Sequence, residues 1–332
     1  MGIEGAAIVG ARGFLGAHLV RGFEARGARV LPVVRSVDDR SPADARSLEA
    51  LVADPADLRG LDVVVHAATV RSGTGVNAAT LRAANLDVTE RALRAAATAG
   101  VPRFVLLSTV GVYGFPARLP VTEEHPYGPR TAYAASRVEL EMRARRTARE
   151  LGIDLVTVRP TRVYGPGDRD GFLERLAGVI RAGLYRVVGG GDNVLHHTHV
   201  DDVVEGVWLA ASRDEARGDH FILAGPETTT LAELSERVAA AVGRPLPRRR
   251  IPSGLVRALA TVVDVAANRG IAFTSSGPPL YHAKLDELTL PLCFDVAKAR
   301  RRLGFAPRVG YDEGIARTLR GDWPALARAG AS

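Results

Sequence analysis

Sulfur, lysine and aromatic rings are all scarce in this sequence of 332 residues. The single cysteine, Cys293, excludes a disulfide framework and leaves no second thiolate for a cysteine-based zinc site. Only Lys284 and Lys298 of the 44 basic residues are lysine; all the others are arginine. No uncharged apolar run approaches the roughly 18 residues of a membrane span. No G-x-S-x-G occurs, so the sequence carries no nucleophile elbow for Ser-His-Asp hydrolysis. The opening MGIEGAAIVG carries Glu4 and runs straight into an apolar strand pattern, unlike a signal peptide, and position 6 is Ala where a myristoylation signal needs Ser or Thr. A soluble, cytoplasmic protein without an integral membrane segment is expected.

What the sequence does have is the composition of a globular protein, with 46% hydrophobic and 24% charged residues. The net charge of +7 comes from scattered arginines, apart from Arg248-Arg249-Arg250 and Arg300-Arg301-Arg302. With aromatics at 5%, neither cluster has the interleaved rings on which bases stack, so the charge reads as a solvated face and no nucleic-acid partner is expected.

Short Val-, Ile-, Leu- and Ala-rich runs at 6–9, 29–34, 62–66, 103–107 and 153–158 read as buried parallel strands. Amphipathic stretches at 14–26, 78–99 and 131–150 read as the helices between them, the last two starting near the caps Asn77 and Thr131, and Gly27 closes the first. The alternation predicts an α/β fold: a doubly wound parallel sheet with a smaller C-terminal lobe. Residues 1–160 form the expected dinucleotide-binding domain and 161–332 the substrate-binding lobe, with segments returning to the main sheet. Loops at 165–171 and 189–193 and the stretch GRPLPRRRIP at 243–252 punctuate that lobe, and 253–268 is expected to be a weakly amphipathic helix that packs or covers a substrate mouth.

GARGFLG follows the first strand and opens the first helix, with glycines at 10, 13 and 16. Such a turn lets backbone N–H groups approach a pyrophosphate and presents a helix N-terminus to it. An acidic residue about 20 residues onward, at the end of the second strand, would mark an NAD site. Here the strand ends Val33-Val34-Arg35-Ser36, with Asp38 and Asp39 displaced into the loop. Arg35, with Arg12 from the glycine turn, suits a 2′-phosphate, so NADP(H) is preferred and NAD(H) stays compatible. Tyr133 and Arg137 in TAYAASRVELE share one helix face, and Thr109 ends the strand FVLLS; a hydroxyl and a phenol placed so can converge on one substrate oxygen.

In these motifs the sequence resembles the extended short-chain dehydrogenase/reductase family, in its epimerase/dehydratase and 3β-hydroxysteroid dehydrogenase-like branch. The resemblance runs through GARGFLG at 10–16, Asp54 in ADPADL, HAA at 66–68, Asn85 in NLDVT and STVGVYG at 108–114. It continues with YAASR at 133–137, VRPTRVYGPGD at 158–168, HVDD at 199–202 and FDVAKARRRLGFAPRVGYDEG at 294–314. It implies that Tyr133 is the acid/base, that Thr109 hydrogen-bonds the reacting oxygen, and that Arg137 stands where the family has the lysine that binds the nicotinamide ribose and lowers the tyrosine pKa. Cofactor contacts are implied for Gly10, Arg12, Gly13, Phe14, Leu15, Gly16, Arg35, Asp54, Ala67, Ala68, Asn85, Tyr133, Arg137 and Pro160, with His66 lining or supporting that channel. Substrate contacts are implied for Thr109, Val110, Arg162 and His199. The arginine at 137 is the main departure, because a guanidinium cannot lose a proton and so cannot relay one.

The expected reaction interconverts a secondary alcohol and a ketone on a sterol-like, hydroxy-lipid or other small molecule. Arg162 and Leu195 stand where nucleotide-sugar members generally have Asn and Arg, which weakens the alternative of a nucleotide-sugar epimerase, dehydratase or 4-ketoreductase. A second alternative is a cofactor-binding sensor without turnover. His196, His197 and His199 alternate along a strand, so 196 faces away from the other two, and no metal is expected. The partner is a small molecule, and a homodimer is compatible with the reading.

Overall fold

The computed structural model describes residues 2–39, 41, 42, 44–69, 78–168, 171–187, 189–247, 251, 252, 254 and 290–321. Asn77, the cluster Arg248–Arg250 and, save residue 254, the helix expected over 253–268 lie outside the described residues.

Seven strands form one sheet in the order β10-β6-β5-β4-β1-β2-β3, every adjacent pair parallel. They are β1 (Gly5–Val9), β2 (Arg29–Val34), β3 (Arg46–Ser47), β4 (Val63–His66), β5 (Arg103–Leu107), β6 (Asp154–Pro160) and β10 (His220–Leu223). The order reverses direction between β1 and β4. In an open parallel sheet such a switch point leaves a crevice beyond the carboxyl ends of the two strands.

The strands read as unbroken apolar runs because both sheet faces are covered. Successive side chains of a strand point to opposite faces. Ile8, Val63, Val65, Val105 and Val156 join one core, with Leu19, Val20 and Phe23 of α1 (Phe14–Glu24) and Val203, Val204 and Val207 of α6 (Val200–Ser212). Ala7, Val9, Val64, Phe104 and Leu106 join the other, with Leu51 of α2 (Leu48–Ala53), Leu93 and Ala96 of α3 (Ala78–Thr98) and Leu140 and Ala144 of α4 (Ala132–Leu151). The structure is therefore the doubly wound fold that the alternation predicts.

Helix α4 starts where Thr131 caps it, its hydroxyl accepting from the Ala134 N–H at 3.1 Å. It ends at Gly152 in the left-handed region, φ 67°. After β6 the chain builds a third, smaller core from Leu173, Ala177 and Ile180 of α5 (Phe172–Arg181), Leu234 and Val238 of α7 (Leu231–Ala241), and Tyr164, Tyr311 and Ile315. Two short pairs flank it: β7 (Arg162–Tyr164) parallel to β9 (His197–His199), and β8 (Val194–Leu195) antiparallel to β11 (Thr229–Thr230). Strand β10 then returns to the main sheet beside β6. Among the described residues no helix is long and apolar enough to cross a membrane.

Candidate active site

The turn after β1 is shaped by two contacts that no side chain could share. Gly10 has φ +93°, and a Cβ there would lie 2.7 Å from the backbone of Ala68, which follows β4. At Gly16 a Cβ would lie 2.0 Å from the Gly10 carbonyl oxygen. The switch point is thus closed backbone against backbone, with the Ala67 N–H donating to the Val9 carbonyl at 2.9 Å. Gly13 caps α1 without a side chain, so the first N–H groups of Phe14, Leu15 and Gly16 are not covered by a capping group. An uncapped helix end at a switch point fits a pyrophosphate. Gly16→Ala is expected to push α1 off the turn, at a cost of about 1–3 kcal/mol by overpacking. Chemical denaturation with and without dinucleotide checks this: both stability and the cofactor's stabilising increment should fall.

At the end of β2, Arg35 is exposed, and Arg12 reaches across from the glycine turn to Asp38 at 2.7 Å. The displaced acid is therefore brought back to the arginine that the sequence assigned to a phosphate. Asp54 uses one carboxylate oxygen to cap the turn Pro55–Leu58, accepting from the Ala56 N–H at 3.0 Å. Asn85 is buried on α3, and its carbonyl accepts from the Thr89 hydroxyl at 2.9 Å.

Thr109 follows β5 and opens the short helix Val110–Tyr113, its Oγ1 accepting from the Gly111 N–H at 3.1 Å. That bond uses an oxygen lone pair and leaves the hydroxyl proton to be donated elsewhere. Val110 is buried behind it. A Cβ at Gly111 would sit 3.8 Å from Cβ of Ala134 on α4, which puts the loop of Thr109 against the turn of helix that carries Tyr133.

Tyr133 is 51% exposed and Arg137, one helical turn on, is 4% exposed. Arg137 Nε donates to Tyr133 Oη at 3.2 Å, and the guanidinium carbon lies 5.4 Å from the Tyr133 ring centre. Nη2 donates to Thr69 Oγ1 just beyond β4, while Nη1 is buried with no partner among the described residues. Nearby, burial and then the Arg137 charge push the His66 imidazole down to about 3, so it is neutral. Thr69 was not legible in the sequence: its only signal was a hydroxyl directly after HAA, and its partner lies 68 positions away.

Beneath this surface, α4 is clamped to β6 by a buried cluster. Arg159 donates to both Glu141 carboxylate oxygens, at 3.0 and 2.5 Å, to Tyr113 Oη at 2.5 Å and to Tyr127 Oη at 2.8 Å. Arg159 and Glu141 are each 1% exposed. Burial alone would raise the Glu141 carboxyl, but the Arg159 hydrogen bonds and charge overcome it and hold the group below its ordinary value. Glu141 lies one turn beyond Arg137, so the clamp fixes the helix that presents Tyr133.

Pro160 ends β6 in register with Leu223. Arg162, next but one, is exposed on β7 with its guanidinium carbon 5.4 Å from the Phe172 ring centre. His199 is wholly buried and caps α6, its Nδ1 accepting from the Asp201 N–H at 3.3 Å. His196 and His197 bond to the Gly225 carbonyl and to Tyr311 respectively. Among the described residues no group of three His, Cys, Asp or Glu side chains is arranged to hold a metal ion.

A switch-point crevice and a bare glycine turn on a Rossmann fold suit a dinucleotide, and Tyr133 with its cationic neighbour Arg137 stands on the adjoining helix α4. The chain belongs to the NAD dependent epimerase/dehydratase family, which matches residues 6–224, and so to the extended short-chain dehydrogenases/reductases. It is 31% identical over 329 residues to the 4-hydroxy-2-methyl-3-oxo-4-farnesyl-3,4-dihydroquinoline-1-oxide ketoreductase of Stigmatella aurantiaca, covering 93% of each chain. It is 28% identical over 327 residues to the 2-alkyl-3-oxoalkanoate reductase of Stenotrophomonas maltophilia, covering 93% of this chain and 97% of the relative. The UDP-glucuronic acid 4-epimerase of Bacillus cereus, solved in complex with NAD, superposes with a TM-score of 0.73 over 96% of this chain and 98% of the other. At 18% identity that likeness shows the fold. The protein is thus an NAD-dependent enzyme of the oxidoreductase and epimerase family.

Proposed function

We propose that the protein reduces a ketone to a secondary alcohol, or the reverse, on a hydroxy-lipid or other apolar small molecule, with NADP(H) as its preferred cofactor. The observation that carries the reading is the hydrogen bond between Arg137 Nε and the half-exposed Tyr133 hydroxyl, beside the strand end that presents Thr109. Two relatives named as reductases of oxo compounds with alkyl or farnesyl chains support the substrate class.

The nicotinamide, when bound, supplies or accepts the hydride. Everything else falls to side chains of this chain. Tyr133 gives its phenolic proton to the carbonyl oxygen as charge develops there. Thr109, which accepts from the Gly111 N–H through one lone pair, donates its own proton in a hydrogen bond to the same oxygen. Arg137 keeps a permanent positive charge beside the phenol and supplies donors for the nicotinamide ribose. Gly10, Gly13 and the start of α1, with Phe14, Leu15 and Gly16, hold the pyrophosphate, while Arg12 is left for the 2′-phosphate. Asp54, Ala67, Ala68, Asn85 and Pro160 line the rest of the cofactor channel, and Val110, Arg162 and His199 shape the substrate side, His199 by fixing α6. The reading assigns the reaction to the cytoplasm, where NADP(H) is available.

Arg35 and Arg12 supply the preference for NADP(H): a 2′-phosphate would take the place of the Asp38 carboxylate on Arg12 and gain Arg35 as a second donor. NADPH is expected to bind more tightly than NADH, and Arg35→Asp to forfeit roughly 1.5–3 kcal/mol of that advantage. Fluorescence titrations with both cofactors check it; equal wild-type affinities would count against the assignment. The reaction itself is tested by following NADPH oxidation against 3-oxo esters, oxosteroids and keto-sugars. Turnover of keto-sugar nucleotides alone would favour the epimerase/ketoreductase alternative, and tight cofactor binding without any turnover would favour a sensor.

A further inference from the structure

We propose that Thr69 is the positioning residue that lets arginine serve at position 137, an inference that rests on the oxidoreductase reading above. The two side chains come from separate elements: Thr69 just beyond β4, at the switch point, and Arg137 on α4. A guanidinium is planar, and its donors leave it in fixed directions. Which edge meets Tyr133 is therefore decided by whatever holds the other edge. Thr69 accepts from Nη2, and with that corner pinned Nε is the atom that reaches the tyrosine hydroxyl, at 3.2 Å. Nη1 is the remaining donor, buried and without a partner among the described residues, and it is the atom left to meet a bound ligand.

Arg137 is 4% exposed, and neutral His66 beside it carries no compensating charge. Without an anchor on its far side, nothing fixes the guanidinium edge that faces Tyr133. An ammonium needs no such anchor, since its three donors are equivalent by rotation. Thr69 and Arg137 thus form a coupled pair, and the threonine matters only while the arginine is present. Thr69 bonds the guanidinium, and its role is exerted through Arg137.

The test is a double-mutant cycle on the full chain, reading kcat, KM, the dissociation constant for NADPH by fluorescence, and the melting temperature. Thr69→Val keeps the shape and removes the acceptor. It is expected to lower kcat about tenfold or more and to weaken NADPH binding, as loss of one charge-assisted hydrogen bond predicts, with KM for the ketone and the melting temperature little changed. Thr69→Ser restores the acceptor and should recover both kcat and cofactor affinity. In an Arg137→Lys background, Thr69→Val should change kcat and cofactor affinity far less than it does beside arginine, so the two substitutions are non-additive. Equal effects of Thr69→Val in both backgrounds, or wild-type kcat and affinity in Thr69→Val, would overturn the pairing while leaving the oxidoreductase reading intact. A wild-type protein that binds NADPH but turns over no carbonyl compound would overturn the oxidoreductase reading. In that case the cofactor-affinity arm of the cycle still decides whether Thr69 and Arg137 are coupled.

Discussion

Tyr133→Phe is expected to abolish most turnover while leaving cofactor binding in place. The ring stays, still stacked by the Arg137 guanidinium at 5.4 Å, and only the hydroxyl that Arg137 Nε contacts is removed. General acid–base groups typically contribute roughly 10²–10⁴-fold, so kcat should fall by that range. Thr109→Val removes one hydrogen bond to the developing oxyanion and not the proton itself, so its loss should be smaller. It also uncaps the Val110–Tyr113 turn, because the Gly111 N–H loses its acceptor. Steady-state rates beside dinucleotide titrations separate the two roles. A Tyr133→Phe rate within threefold of wild type would remove the tyrosine from the mechanism.

The second large effect is on stability. Mild acid is expected to unfold this protein, because burial lowers the pKa of six of its histidines in the fold. Burial, followed by the Arg137 charge, takes His66 to about 3. Burial takes His199 to about 4 against the pull of Asp201, and burial with the nearby Arg159 charge takes His220 to about 4. His18, His196 and His197 are lowered too, chiefly by burial. In the unfolded chain each returns to about 6.5 and takes up a proton that the folded chain refuses. The unfolded state therefore binds more protons below pH 6.5, and stability falls as the pH drops from 6.5 toward 4, by at most about 1.4 kcal/mol per pH unit for each fully buried histidine. Buried Glu123 and Asp202, raised by desolvation, oppose the trend in the carboxylate range. By pH 5 the histidines with values near 3 and 4 alone would remove roughly 4–6 kcal/mol, comparable with the whole stability of a typical domain. Urea denaturation at pH 7.5, 6 and 5 measures this directly, and an unchanged midpoint would show the imidazoles to be accessible to protons in the native state.

The main sheet was legible because burial on both faces writes itself into the sequence as short apolar runs. The expected strands at 29–34 and 103–107 coincide with β2 and β5, and helix 14–26 differs from α1 only where the chain turns out at Ala25. Strand β3 was not legible, because two residues carry no periodicity. The geometry of the candidate site was legible wherever it is local: the glycine turn, and the tyrosine one helical turn before Arg137. It was illegible where charges pair over distance. Nothing in the sequence pairs Arg159 with Glu141, yet both are buried and bonded to each other across β6 and α4, and to Tyr113 and Tyr127, which precede α4. Arg12 read as free for a phosphate and is found on Asp38. Nothing in a spacing of 26 positions predicts that contact, since it depends on where β2 delivers its loop.

Among the described residues Lys298 is the only lysine, and its amine is occupied: it donates to Asp219 at 2.6 Å and to the His220 carbonyl at 3.0 Å, at the β10 edge of the sheet. Positions 137 and 298 thus divide the two kinds of cation, with arginine beside Tyr133 and lysine as a staple between β10 and the helix Ala297–Leu303. Aldehydes and activated esters, which label most proteins at many points, meet almost no nucleophilic nitrogen here. An amine-reactive crosslinker would therefore under-report any self-association of the chain, and carboxyl-directed coupling is the chemistry suited to mapping its contacts.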